Sequence, residues 1–112
     1  MKSTQMIFRL AFLVALVVGL GGLFHLFAMN TTVRDVHIVS GLIMLVAIGW
    51  LAIETKSPIV IVSALLVVAG GIIPLMSPSD PLSIRIFHIA IMVVAVGLAE
   101  MGVGRTVRNK MA

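Results

Sequence analysis

Cysteine and tyrosine are both absent from this chain of 112 residues, and charged residues make up only 11% of it. Without cysteine there can be no disulfide, no cysteine-bound iron–sulfur cluster and no thiol catalysis. An ordinary soluble domain carries about a quarter charged residues. The scarcity of charge therefore excludes the well-hydrated surface that a soluble protein needs.

Apolar residues are abundant instead. They form 61% of the chain, and the mean hydropathy is +1.24. They occur in runs separated by short polar breaks, and each run approaches the roughly 20 residues that a helix needs to cross about 30 Å of hydrocarbon. Because lipid offers no partner to backbone N–H and C=O groups, such runs must be helices. The sequence predicts an all-α integral membrane protein in contact with the lipid bilayer.

We predict four transmembrane helices, over residues 7–29, 33–53, 58–76 and 82–103. Asn and Thr at 30–32 and Ser57 before Pro58 are typical of helix ends and starts, and residues 77–81 form a turn signal. The first apolar run is too long for a signal-peptide core and no clear cleavage pattern follows it, so we expect it to be retained. Short connections make consecutive helices antiparallel, which predicts an up-down-up-down bundle forming one domain over residues 1–112.

Basic residues are distributed unequally between the two expected membrane faces. Only Arg34 and Arg85 fall on the side of the two hairpin tips, and the others accompany the chain termini and the middle loop: Lys2, Arg9, Lys56, Arg105, Arg108 and Lys110. The positive-inside rule then places both termini in the cytoplasm, and a bacterial inner membrane is the expected location. The net charge of +4 reflects this asymmetry and contact with anionic lipid, and does not indicate nucleic-acid binding.

The two halves of the sequence repeat one pattern. Gly21-Gly22, a polar tip and Arg34-Asp35-Val36-His37 are followed by Gly70-Gly71, a tip two residues longer, and Arg85-Ile86-Phe87-His88. We therefore expect two copies of one helical hairpin, related by a pseudo-twofold axis along the membrane normal. That axis would bring His37 and His88 to the same depth on opposite sides of the bundle centre.

Two facing histidines in a membrane bundle indicate a cofactor site. Ionisable side chains are costly in membrane helices and are read as functional by default. Neutral imidazole binds metals, and a pair across a bundle core is suited to the two axial positions of a haem iron. Arg34 and Arg85 each precede a His by about one helical turn on the aqueous side, where guanidinium groups could bind haem propionates. We predict a haem b site with His37 and His88 as iron ligands.

Three glycines and a third histidine complete the predicted site. Gly22, Gly41 and Gly71 lie near the depth of the paired histidines, where small residues admit either a flat ring or a second helix. His25 has no histidine counterpart in the second repeat. It could bind a propionate, act as an alternative ligand or lie among the lipid headgroups, and we favour a role other than iron ligation.

The chain resembles four-helix transmembrane b-type cytochromes, and in particular one half of haem A synthase, over its whole length as architecture. Those proteins place one haem-ligating His near the outer end of the second helix and one near the outer end of the fourth, as His37 and His88 are placed here. The family has an acidic residue shortly before the first of these and Arg directly after it, whereas here Asp35 precedes His37 by two positions and Ile38 follows. Haem A synthase chemistry also requires two such bundles. The resemblance therefore implies haem binding and not that enzymatic activity.

An iron with two histidine ligands has no open position for substrate, which favours electron transfer over enzymatic oxygen chemistry. The expected partners are a quinone, a larger membrane complex or further copies of the chain, although haem delivery or sensing would use the same site. The main alternative is a cofactor-free structural subunit of a membrane complex. A copper or zinc site of His25, His37 and His88 is a further alternative. A small multidrug exporter fits less well, because the first helix lacks an acidic residue.

Overall fold

A computed structural model describes residues 1–28, 30–77, 79 and 81–111. All regular structure in these ranges is helical. The chain forms four helices: α1 (Lys2–Leu23), α2 (Thr31–Thr55), α3 (Pro58–Leu75) and α4 (Leu82–Met111). Each is long and apolar enough to cross a membrane. The predicted all-α fold with four membrane-spanning helices is therefore confirmed.

The helices pack as two hairpins. α1 lies along α2 and α3 lies along α4, and the two hairpins meet mainly through α2, which contacts α3 and, less extensively, α4. The core between them is apolar and consists of small and medium side chains around one aromatic: Phe8, Ala11, Met44, Ala47, Ile48, Leu51, Val60, Val67, Ala95, Ala99 and Val103. Large apolar side chains such as Leu13, Val46 and Leu65 face outward and are exposed, as expected of a surface that contacts lipid.

The first hairpin turns earlier than hydropathy predicts. α1 ends at Leu23, because the next turn closes with two backbone hydrogen bonds, from the His25 amide to the Gly22 carbonyl and from the Leu26 amide to the Gly21 carbonyl. His25 has the left-handed φ of 57° that such a helix-ending motif requires. The predicted end at Met29 lies outside the described residues, and the apolar residues among 24–28 belong to the tip.

Polar side chains and turn residues define the remaining helix ends. The Asn30 side chain accepts a hydrogen bond from the Val33 amide at 2.9 Å, so Asn, rather than either Thr, caps α2. Ser57 and Pro58 begin α3 as predicted. α4 continues to Met111, past the predicted end at residue 103, and places Arg108 and Lys110 in its last turn, where cations complement the helix dipole. The predicted turn at 77–81 includes Pro78 and Asp80, which lie outside the described residues.

Candidate functional site

The two repeated histidines lie side by side. His37 is on the second turn of α2 and His88 is on the second turn of α4. Their ring centroids are 6.2 Å apart and the ring planes make an angle of 69°. Both side chains are half-buried. The fold therefore joins the two copies of the sequence repeat at one end of the bundle, which we call the histidine end.

Each histidine is oriented by a backbone carbonyl of its hairpin partner. The Nδ1 atom of His37 lies 3.0 Å from the carbonyl oxygen of Ala15 on α1. The Nδ1 atom of His88 lies 2.6 Å from the carbonyl oxygen of Gly70 on α3. A carbonyl oxygen can only accept, so in each neutral ring Nδ1 carries the proton and Nε2 keeps its lone pair. This is the hydrogen-bonding pattern that orients metal-binding imidazoles in proteins.

Two glycines allow this close packing. Gly70 is buried, and a Cβ atom there would lie 2.9 Å from Cγ2 of Ile91 and 3.2 Å from Sδ of Met92. On the first hairpin, a Cβ atom at Gly19 would lie 3.3 Å from Cε1 of His37. Both glycines precede their histidine by 18 residues. By its spacing to the histidine, Gly19 thus corresponds to Gly70. The sequence repeat instead aligns Gly22 with Gly71, so the sequence gives no reason to single out Gly19.

The three predicted glycines have other surroundings. A Cβ atom at Gly41 or Gly71 would meet no atom of the described residues within 4 Å. These two positions therefore leave open space rather than forming a helix–helix contact. Gly22 lies in the last turn of α1, where its carbonyl oxygen accepts a hydrogen bond from the His25 amide. A role for the three in lining a cofactor stays a prediction.

The predicted arginines lie at the same end as the histidines. Arg34 is exposed, and it precedes His37 by about one turn on α2. Arg85 is half-buried and has the same relation to His88 on α4. Both arginines therefore lie at the histidine end, and their binding of haem propionates stays a prediction.

His25 is exposed in the tip of the first hairpin. Among the described residues, which include all three histidines, no three His, Asp or Glu side chains are arranged to hold a metal ion. The alternative of a copper or zinc site formed by His25, His37 and His88 is therefore wrong. What the fold brings together is a pair of histidines and not a triad.

The opposite end of the bundle is held by polar side chains. Glu100 on α4 accepts hydrogen bonds from Arg9 Nε at 2.8 Å and Arg9 Nη2 at 2.6 Å, and a third from Gln5 Nε2 at 3.0 Å. Thr4 donates to Glu54 of α2 at 3.1 Å. The first turns of α1 are thus fixed to both α2 and α4, far from the histidines. No local sequence pattern indicates the Arg9–Glu100 pair, because its members are 91 positions apart.

A shallow apolar groove of about 530 Å³ follows the outward face of α2 beside α1, between Val39 and Trp50. It includes neither His37 nor His88. The groove is therefore separate from the histidine pair.

Comparison with known proteins adds no further constraint. The chain matches no protein-family model, no curated protein and no solved structure. The resemblance to b-type cytochromes stays a prediction, and the functional argument rests on the chemistry of the histidine end.

Proposed function

We propose that this chain is a small membrane cytochrome that binds haem b through His37 and His88 and transfers electrons. The observation that carries the proposal is the paired arrangement of the two rings, each with Nδ1 donating to a carbonyl of the neighbouring helix. Each imidazole is thereby held by its Nδ1 atom, and in the neutral ring the Nε2 atom would be available as a ligand.

The separation of the rings fits such a pair. A bond from an imidazole nitrogen to a metal is about 2.0 Å long, so two ligands on opposite sides of one ion have ring centres roughly 6 Å apart. The observed centroid distance is 6.2 Å. Since each imidazole could turn about its bond to a metal, the angle of 69° between the planes would allow His37 and His88 to bind one iron together.

The surrounding residues suit haem b in other respects. Arg34 and Arg85 would bind the propionates at the aqueous rim, and the open space beside Gly41 and Gly71 would admit the flat ring. Haem, when bound, would supply a one-electron couple. His37 and His88 would both bind the iron, so the chain's own contribution would be to hold these two ligands and to exclude water. Its apolar outer surface favours a quinone or a neighbouring membrane subunit as the redox partner.

The membrane orientation belongs to the same proposal. The end that carries the start of α1 and the end of α4 holds six of the eight Lys and Arg residues. We infer that this end faces the cytoplasm of a bacterial cell and that the histidine end faces outward. Electron exchange would then take place near the outer face of the membrane.

A cofactor-free structural subunit is the second candidate, and one observation favours it. The same hydrogen bonds from His37 to Ala15 and from His88 to Gly70 also tie each hairpin together without any cofactor. In addition, the edge contact between the rings joins α2 to α4. Interhelical hydrogen bonds of this kind contribute about 0.6 kcal/mol on average in membrane proteins, which is sufficient reason for a structural histidine.

A visible spectrum separates the two candidates. The protein is expressed with adequate haem supply, purified in detergent, and measured as a reduced-minus-oxidised spectrum together with a pyridine haemochrome assay. We expect a six-coordinate, low-spin b-type spectrum near one haem per chain. His37→Ala and His88→Ala should each abolish it, while His25→Ala should retain it. A low-spin spectrum that persists in either of the first two variants contradicts the axial assignment, and wild-type protein without haem supports the structural subunit.

A further inference from the structure

α4 extends beyond the rest of the bundle. Gly102 lies level with the start of α3, because a Cβ atom there would be 2.6 Å from Cγ2 of Val60 and 3.2 Å from Oγ of Ser57. The helix then continues for nine residues to Met111. At about 1.5 Å per residue this segment projects roughly 13 Å past the first turn of α3. We call residues 103–111 the α4 extension.

The α4 extension is basic, and its charged side chains are exposed. Arg105, Arg108 and Lys110 lie on it, and all three are exposed. Lys2 at the start of α1 and Lys56 between α2 and α3 are also exposed at this end of the bundle. We call these five residues the basic end.

The acidic residues at this end are already paired. Glu100 binds Arg9 and Gln5, and Glu54 binds Thr4 and the amino group of Met1. Within the part of the chain that the structure describes, the five cations of the basic end form no ion pair. Their charge is therefore available to an external anion.

The bundle is long enough for these cations to reach the lipid phosphates. The longest dimension is 49 Å, whereas the hydrocarbon core of a bilayer is about 30 Å thick and the headgroups bring the total to about 40–45 Å. With the apolar spans in the hydrocarbon, the α4 extension lies in the headgroup region.

We propose that the basic end is a binding surface for anionic phospholipid headgroups, with Arg105, Arg108 and Lys110 as the main phosphate-binding residues. Arg and Lys near a membrane surface are attracted to anionic lipid, and each contributes a separate increment to the affinity. The proposal does not depend on haem, since the histidine end lies at the other end of the bundle. It predicts a lipid preference that is set by charge rather than by acyl chains.

The test is a lipid competition followed by native mass spectrometry. Detergent-purified protein is incubated with equal amounts of phosphatidylglycerol and phosphatidylcholine that have identical acyl chains, and the lipids retained on the protein are counted. We expect phosphatidylglycerol to be retained in preference, and less so at high salt because screening weakens charge attraction. Replacing the three cations of the α4 extension by Gln should reduce the preference by about fivefold for each charge removed.

Matched variants keep the test decisive. The charge-conserving combination Arg105→Lys, Arg108→Lys and Lys110→Arg should retain the preference, and circular dichroism should show unchanged helix content in both triple variants. Equal retention of the two lipids by wild-type protein overturns the proposal, and so does a preference that survives the Gln substitutions. If the Gln variant fails to fold, the salt dependence of the wild-type protein decides the question, and a lipid preference that is insensitive to salt overturns the proposal. Haem content is measured separately, so a failure of the haem proposal can be distinguished from a failure of the lipid proposal.

Discussion

The Nδ1 atom of His88 lies 2.6 Å from the carbonyl oxygen of Gly70, which is buried against the helix that carries the histidine. His37 bonds in the same way to the carbonyl oxygen of Ala15. Ala15 lies one helical turn before Gly19, which is the residue that corresponds to Gly70 in the first hairpin. Each histidine is therefore fixed by the helix that precedes it in the chain, and the orientation of both rings depends on how closely each hairpin packs. Substitutions that separate the helices should disturb the rings without touching them.

Gly70→Ala should separate α3 from α4. The new methyl group would lie 2.9 Å from Cγ2 of Ile91 and 3.2 Å from Sδ of Met92, and overpacking of this kind costs about 1–3 kcal/mol. We expect a lower thermal midpoint, measured by circular dichroism in detergent on haem-free protein. The control is Gly97→Ala on the exposed face of α4, where a Cβ atom would meet no described atom within 4 Å. That change should be neutral or stabilising by up to about 1 kcal/mol, because Ala favours helix. Equal effects of both substitutions would contradict the packing role of Gly70.

His25→Gly should stabilise the first hairpin. His25 has a φ of 57°, which glycine adopts without the steric cost that a side chain carries. We expect a gain of up to about 1 kcal/mol in the free energy of unfolding, while His25→Val should be destabilising because β-branched residues disfavour this conformation. Thermal unfolding of both variants is the measurement. If haem is bound, its spectrum should be unchanged in His25→Gly, and a lost low-spin band would instead assign His25 to the site.

The sequence predicts the architecture well because the length of each apolar run and the shortness of each polar break can be read from neighbouring residues alone. Apolar runs of membrane length with short polar breaks leave few alternatives to an antiparallel helical bundle, and the four helices have the expected order. The helix ends were harder to place. Hydropathy continues through residues 24–28, whereas backbone hydrogen bonding around His25 ends α1 at Leu23. In the same way, α4 stays helical after its apolar run ends, since exposed Arg and Lys are good helix formers.

The site was predictable only in part. The repeat of Arg-x-x-His was sufficient to predict that His37 and His88 lie together, because both copies open an equivalent helix, whereas their role as ligands stays a prediction. The carbonyl groups of Ala15 and Gly70 carry no sequence signal, since every residue has a carbonyl. The contact of Gly19 with the His37 ring and the pairing of Arg9 with Glu100 depend on the rotation of α1 about its axis, which hydropathy does not fix when a helix is apolar on all sides.

The Arg9–Glu100 pair should couple α1 to α4. Its two hydrogen bonds are 2.8 and 2.6 Å long, but the Arg9 side chain is 58% exposed, so screening limits the contribution to about 0.2–1 kcal/mol. A double-mutant cycle of Arg9→Gln and Glu100→Gln, read from unfolding in detergent, should give a coupling energy in that range that decreases with added salt. Zero coupling at low salt would show that Gln5 alone is a sufficient partner for Glu100.

Ser63→Ala should weaken the second hairpin more than Ser40→Ala weakens the first. Both serines are buried, but Ser63 Oγ donates across the interface to the Ala95 carbonyl at 2.6 Å, whereas Ser40 Oγ donates to Val36 of its own helix at 2.7 Å. Hydrogen bonds between membrane helices contribute about 0.6 kcal/mol on average and at most about 1.7 kcal/mol. The Ser40 bond persists when the helices separate and should contribute little to association. Unfolding free energies of the two variants in the same detergent are the measurement, and equal losses would mean that the Ser63 hydroxyl adds nothing to the pairing of α3 with α4.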